Sequence, residues 1–246
     1  TRLKPLTNSM PKALVPVDGK PLLQHQLEKI RSFGCRDVVI NVHHFADMIE
    51  QWVKNNPMDM SIRFSDERAE LLDTGGGIKH AASMLEGASD GFLIHNVDIL
   101  SNVDLKKFYQ MESKELSDDS SDFMKEKAPL AARLLVSERK TKRYLLFDDS
   151  MRLVGWTNIE TGEVKSPYPD LNPKDYKMYA FSGIHMLAPS LFPLMEEEPD
   201  KFPIMDFYLK HCDKVRIEGY VKNDLKLMDV GKQETLKEAE AFLKEL

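Results

Sequence analysis

The chain is short of cysteine, of long apolar runs and of positive charge, and each shortage removes a class of protein. Only Cys35 and Cys212 occur among 246 residues, too few for a disulfide framework and too far apart for a metal knuckle, so a reducing compartment is expected. No apolar stretch approaches the ~20 residues that span a bilayer. The longest, such as Phe92–His95 and Leu130–Val136, are the length of strands. A charged-then-apolar leader with a small-residue cleavage site is not seen, and the expectation is a cytoplasmic protein that engages no membrane. With 34 basic against 40 acidic residues the net charge is −6, the wrong sign for a general nucleic-acid binder. Glycine is sparse too. The G-x-G-x-x-G dinucleotide fingerprint is missing, and Ser182-Gly183 lacks the preceding glycine of a nucleophile elbow.

What is there describes an ordinary globular protein: 42% hydrophobic and 30% charged residues, with a mean hydropathy of −0.40. Charge is unevenly placed. Residues 1–21 hold Arg2, Lys4, Lys12 and Lys20 against Asp18 alone, a local excess that suits a small anionic ligand. Pro5, Pro11, Pro16 and Pro21 in the same stretch remove amide donors and forbid a continuous helix, so it is expected to be a shaped, extended loop.

From Leu22 the pattern alternates. Leu22, Leu23, Leu27, Ile30 and Phe33 recur at helical spacing up to Gly34. Val38–Val42 reads as a buried strand, Asp47–Asn55 as a helix, Ser61–Phe64 as a strand, Gly77–Leu85 as a helix and Phe92–His95 as a strand. Uniformly apolar strands alternating with helices predict one α/β domain over residues 1–246, Rossmann-like, with a predominantly parallel sheet and helices on both faces. Asp104–Glu112 is expected to be helical and Glu112–Lys127, rich in Ser, Asp, Glu and Lys, an exposed loop. Leu130–Val136 returns to strand. Tyr144–Phe147, Asp148-Asp149-Ser150 and Arg152–Trp156 read as strand, turn, strand, a small antiparallel excursion. Residues 158–178 read as a long loop, Tyr179–Leu187 and Val215–Tyr220 as strands, and Phe202–His211 and Lys232–Leu246 as helices.

Ligands of open α/β sheets bind beyond the carboxyl ends of strands, so residues just after strands are the candidates. Leu72-Asp73-Thr74-Gly75-Gly76-Gly77 places three glycines before a helix, where amides can approach an anionic or planar ligand; a plain turn capped by Thr74 reads equally from the residues. Asp98 ends the apolar strand Phe92-Leu93-Ile94-His95-Asn96-Val97, and Asp229 follows Leu227-Met228. Two strand-end acids can share a Mg²⁺, a hard cation taken by one or two carboxylates plus substrate phosphates; each alone can equally be a cap. Asp206 and Asp224 read as surface or cap residues. His43-His44 reads as one loop and one packed histidine rather than a metal pair, since adjacent side chains diverge.

Thr1–Thr7 (TRLKPLT), Pro11–Val17 (PKALVPV) and Gly19–Leu22 (GKPL) resemble the signature of the sugar-1-phosphate nucleotidyltransferases. The resemblance continues through Leu72–Ile78, Asn96–Asp98, Phe181–Ile184 and Met228–Gly231. It is nearest to N-acetylmuramate-1-phosphate uridylyltransferases and mannose-1-phosphate guanylyltransferases. It implies the nucleotide-diphospho-sugar transferase fold and a nucleoside triphosphate and a sugar-1-phosphate as partners. By position it implies that Arg2 and Lys12 act on the triphosphate, that Gly75, Gly76 and Asn96 bind the nucleotide, and that Gly183 binds the sugar phosphate. Asp98 and Asp229 would hold Mg²⁺. Val97 stands where the family has glycine, and the family's first strand and G-x-G lie ahead of the point where this sequence starts, at Thr1. A chain beginning at Thr1 is therefore expected to lack its first strand and half its phosphate loop.

Overall fold

The computed structural model describes residues 6–85, 87, 88, 91–110, 128–231 and 233–246. Arg2 and the expected loop Glu112–Lys127 lie outside the described residues. In chain order the elements are β1 (Pro16–Val17), β2 (Lys20–Pro21), α1 (Leu22–Ser32), β3 (Asp37–Val42), α2 (Ala46–Asn55), β4 (Ser61–Asp66), α3 (Asp73–His80) and α4 (Ala82–Leu85). They continue with β5 (Phe92–His95), β6 (Ile99–Ser101), α5 (Leu105–Gln110), β7 (Leu130–Ser137), β8 (Arg143–Phe147), β9 (Leu153–Asn158) and β10 (Val164–Lys165). The last are β11 (Lys177–Leu187), α6 (Phe192–Glu196), α7 (Ile204–His211), β12 (Arg216–Val221), β13 (Leu227–Asp229) and α8 (Gln233–Leu243).

The largest sheet is organised on β11. One edge of this long strand pairs with β7; the other pairs first with β8, through Lys177–Tyr179, and then with β5, through Ile184–Leu187. Between the two lies a register shift from Phe181 to His185, and Gly183 at its centre has φ of +79°, a value that L side chains rarely adopt. Beyond β8 the sheet runs on through β9 to β10, and beyond β7 to β12. Three two-stranded sheets accompany it, β1 with β2, β3 with β4 and β6 with β13.

The class is mixed α/β with a central sheet, and the strands stand where the apolar runs place them. Their directions are less parallel than the sequence suggests. Among the described residues only β3–β4 and β7–β12 pair in parallel; β11 runs against β5, β7 and β8. The physical reason is that an uninterrupted apolar run reports burial on both faces and says nothing of direction. β7 is buried from Ala131 to Val136 for this reason, and its core partners include Phe147, Leu187 and Phe207.

The triple glycine departs from expectation. The helix begins at Asp73, not Gly77, so all three glycines are helical and buried. They are packed rather than open: a Cβ on Gly75 would meet the Phe202 ring at 2.3 Å, and one on Gly76 the Asp200 carbonyl oxygen at 2.0 Å. The amides of Gly75 and Gly76 both donate to the Phe202 carbonyl, at 2.8 and 3.1 Å, and Phe202 N–H donates back to Leu72 at 3.2 Å. Thr74 Oγ1 accepts from Ile204 N–H at 3.0 Å, and Lys79 Nζ donates to the Glu198 carbonyl at 2.8 Å. The glycines thus let the 198–204 segment lie directly on α3.

Helix α1 is bound to the β6 strand by polar contacts. Gln26 Nε2 donates to the Ile99 carbonyl at 2.9 Å, and Lys29 Nζ donates to the Ser101 carbonyl and, at 3.1 Å, to Ser101 Oγ. Burial pushes the Lys29 ammonium down from its ordinary 10.5 to about 8.

Two predictions follow from this packing. The Asp200 carbonyl is backbone and cannot swing aside, so Gly76→Ala should cost about 3 kcal/mol, the upper range for overpacking. Gly87→Ala, whose Cβ meets nothing within 4 Å, should stay within about 0.5 kcal/mol; equal urea midpoints for the two variants would disprove the docking. For Lys29 the folded chain releases its proton before the unfolded chain does. Between about pH 8 and 10.5 the unfolded state therefore binds more protons, and stability rises with pH. Urea titrations should show wild type gaining on Lys29→Met across that window, and parallel curves would refute it.

Candidate active site

The candidate site is assembled from three distant stretches. Lys12 opens a short 3-10 turn, Lys12–Leu14, after Pro11. Leu14 N–H donates to Pro11 at 3.0 Å and Val15 N–H to Lys12 at 3.1 Å. The wholly buried Val15 and Val17 anchor the loop in a cluster with Leu100 and Val230, which delivers the lysine to the end of the β6–β13 ladder. There Asp229 is paired with Ile99, the residue after Asp98, and Val230 N–H donates to the Asp98 carbonyl at 2.9 Å. The ladder therefore brings together two carboxylates that the sequence keeps far apart.

Lys12 Nζ donates to Asp98 Oδ2 and lies 3.8 Å from Asp229 Oδ1. The Lys12 and Asp98 side chains are both 23% exposed, whereas that of Asp229 is 65% exposed. Gly231 lies beside them: a Cβ there would stand 2.8 Å from Asp229 Oδ1, the end of an exposed side chain. One positive and two negative charges leave this corner at −1. That corner suits a hard cation that brings phosphate ligands of its own, and two carboxylates are the number such a cation takes from protein.

Asn96 and Gly183 are also neighbours. Asn96 N–H donates to the Gly183 carbonyl at 3.3 Å, and a Cβ on Gly183 would lie 2.9 Å from Asn96 Nδ2. The bulge in β11 thus accommodates the exposed Asn96 side chain two residues before Asp98. His95 steadies this turn. Its Nδ1 lies 2.8 Å from the Asn96 carbonyl oxygen and so carries the proton, and burial pushes the ring down to about 4, which keeps it neutral.

Of the sequence candidates, Lys12, Asp98 and Asp229 converge, Asn96 and Gly183 adjoin them, and Gly75 and Gly76 sit on α3 with their amides already engaged. His43 Nδ1 donates to the Glu67 carbonyl at 2.6 Å, in keeping with a packed residue. Sequence reasoning missed His95, read merely as part of an apolar strand. It also missed a hollow of about 180 Å³ between Arg139, Arg143, Trp156 and Phe181, for which a run of basic residues was the available signal. A larger hollow, about 310 Å³, lies at the opposite end of β6 from Asp98, beside Lys29 and Ser101. Among the described residues no helix is long and apolar enough to cross a membrane.

Several known proteins are similar to this chain. The N-acetylmuramate alpha-1-phosphate uridylyltransferase of Caulobacter vibrioides is 46% identical over 88 residues, 35% of this chain and 36% of that protein. Mannose-1-phosphate guanylyltransferase 1 of Arabidopsis thaliana is 27% identical over 164 residues, 66% of this chain and 45% of that protein. The matches thus span less than half the length of these curated relatives. A crystal structure of HddC from Yersinia pseudotuberculosis complexed with GMP-PN superposes with a TM-score of 0.68 at 25% identity, covering 99% of this chain and 94% of that one. The model of the family described as nucleotidyl transferase matches residues 1–131, more than half of the sequence and the part that carries Lys12 and Asp98, and the chain belongs to that family.

Proposed function

We propose that this chain transfers a nucleotidyl group from a nucleoside triphosphate to a sugar-1-phosphate, giving an NDP-sugar and pyrophosphate. The observation that carries the reading is the placement of the Lys12 ammonium between Asp98 and Asp229 at the end of the β6–β13 ladder. A phosphate oxygen of the sugar-1-phosphate attacks the α-phosphorus in line, and pyrophosphate leaves. The nucleophile has a second pKa of about 6, so it is already anionic at neutral pH and needs no general base. What remains for the protein is positioning and positive charge.

Lys12 supplies charge to the phosphates. Arg2 would join it on the strength of the family resemblance. Mg²⁺ fits the donor set, since Asp98 and Asp229 would hold it with substrate phosphates completing its shell; when bound it would neutralise charge that develops on the transferring and leaving groups. Asn96 would contact the nucleotide and Gly183 the sugar phosphate. Gly75 and Gly76 would border the base by their small size, their amides being engaged by Phe202. We favour UTP with an N-acetylmuramate- or hexose-1-phosphate, the substrate type in the name of the Caulobacter relative. A GTP and mannose-1-phosphate pair is the alternative, favoured by the Arabidopsis relative and the GMP-PN complex. A cytoplasmic role in supplying cell-wall or polysaccharide precursors completes the proposal. A non-catalytic subunit that only senses a sugar nucleotide would have no need of a lysine and two acids converging on one point.

Pyrophosphate release from a panel of triphosphates and sugar-1-phosphates tests the reaction. In Mg²⁺, Asp98→Asn should keep its melting transition and lose about 10²–10³ in kcat; turnover at the wild-type rate would remove Asp98 from the metal site. Lys12→Met should slow turnover with little change in melting temperature, because a partly exposed ion pair contributes about 1 kcal/mol or less. Unaltered kinetics combined with a lower melting temperature would make this lysine a structural residue.

A further inference from the structure

We propose that the hollow at the Ser101 end of β6 binds a small carboxylic acid with an apolar body, its carboxylate held by Lys29 and Ser101. The site goes beyond the nucleotidyl-transfer reading, since it stands at the opposite end of β6 from Asp98 and shares no residue with the groups assigned to the phosphates. The hollow measures about 310 Å³, at the small end of the usual range of about 300–1,000 Å³ for ligand pockets. Its walls come from α1, from β6 with the two residues after it, and from the end of α8 with Leu246 beyond it. Among the described residues no acidic side chain lines it, and Lys29 is the lysine that does.

The polar side of the hollow is arranged for one anionic group. Lys29 Nζ donates to the Ser101 carbonyl and, at 3.1 Å, to Ser101 Oγ, which engages two of its three N–H groups. Among the described residues the ammonium has no carboxylate partner, and burial is the cause of its lowered pKa. Ser101 is 3% exposed and accepts from Lys29, so its own O–H proton remains to be given to an acceptor. Gln26 beside them is 5% exposed; it gives Nε2 to the Ile99 carbonyl at 2.9 Å, and its buried Oε1 has no donor among the described residues. A carboxylate taking the third Lys29 N–H and the Ser101 O–H would supply the counter-charge that a half-buried ammonium lacks.

The remaining wall decides what the acid carries. Leu100, Val103, Leu243 and Leu246 line it, the first two 3% and 5% exposed and Leu246 47% exposed. An apolar body against these side chains would take apolar surface, Leu246 above all, out of water. One ammonium among leucines balances one negative charge, whereas pyrophosphate or a nucleotide would bring further charges into the hollow with no cation to meet them. The volume equals about ten waters of bulk liquid, room for a branched acid of about six carbons.

Calorimetric titration at pH 7 with 4-methylpentanoate, its uncharged amide and inorganic phosphate tests this. Wild type should bind the acid about ten- to a hundredfold more tightly than the amide, the range for a charged hydrogen-bonded pair, and should bind phosphate more weakly than the acid. Lys29→Met should remove the preference for the acid. Leu246→Glu, at an exposed position, sets a carboxylate in the wall and should weaken the acid but not the amide, with an unchanged melting transition, so that the result does not depend on how Lys29→Met folds. Lys12→Met should leave the titration as it is in wild type. Failure of the acid to bind, equal binding of acid and amide, tighter binding of phosphate, or a preference that survives in Leu246→Glu would each overturn the site. Loss of binding in Lys12→Met would also overturn it, by placing the acid at the phosphate-binding corner. None of these readouts requires turnover, so the outcome stands whether or not the transfer reading does.

Discussion

Two carboxylates brought to one corner of a sheet need a cation between them, and the organisation of the site answers to that need. Two unit charges about 5 Å apart repel by about 3 kcal/mol at an effective dielectric constant of about 20, and by less where solvent screens one of them, as it does Asp229. The β6–β13 ladder forces Asp98 and Asp229 together by backbone pairing, and the apolar contacts of Val15, Val17, Leu100 and Val230 hold the Lys12 loop against that ladder. The compensating charge comes from a lysine on a loop rather than on a strand. A loop ammonium can leave one oxygen for another more readily than a buried ion pair can, which is what a site receiving phosphates requires.

The second constraint is β11. Where this strand changes neighbour from β8 to β5 along one edge, its register with β7 on the other edge shifts, and Gly183, with its positive φ, sits at that shift. The break leaves space for the Asn96 side chain, which any Cβ at position 183 would crowd. One irregularity thus joins the excursion β8–β10 to the main sheet and shapes the turn that carries Asp98. It also explains why a neutral His95 is useful: a proton fixed on Nδ1 pins the Asn96 carbonyl without adding charge beside the carboxylates.

Much of this was legible in the sequence because it depends on local pattern. Strand-end acids and the proline-rich loop with its lysine announced Lys12, Asp98 and Asp229, and apolar runs announced every long strand. What failed depended on partners distant in sequence. The direction of β11 relative to β5, β7 and β8 is invisible in its own residues. The glycines of α3 read either as amides open to an anionic or planar ligand or as a plain turn capped by Thr74, because nothing local reveals that Phe202 and Asp200 will lie against them; in the fold they serve close packing, with the Gly75 and Gly76 amides taken by one carbonyl.

The basic run at residues 138–143 shows the same limit from the other side. Alone it reads as a solvated loop, since four exposed cations on a six-residue stretch are common. Its meaning changes once β8, β9 and β11 set Trp156 and Phe181 beside it, because a cation next to water needs no partner, whereas unpaired guanidinium groups edging an aromatic hollow concentrate positive potential where an anion can also bury apolar surface. On a chain whose overall charge repels anions, attraction has to be local.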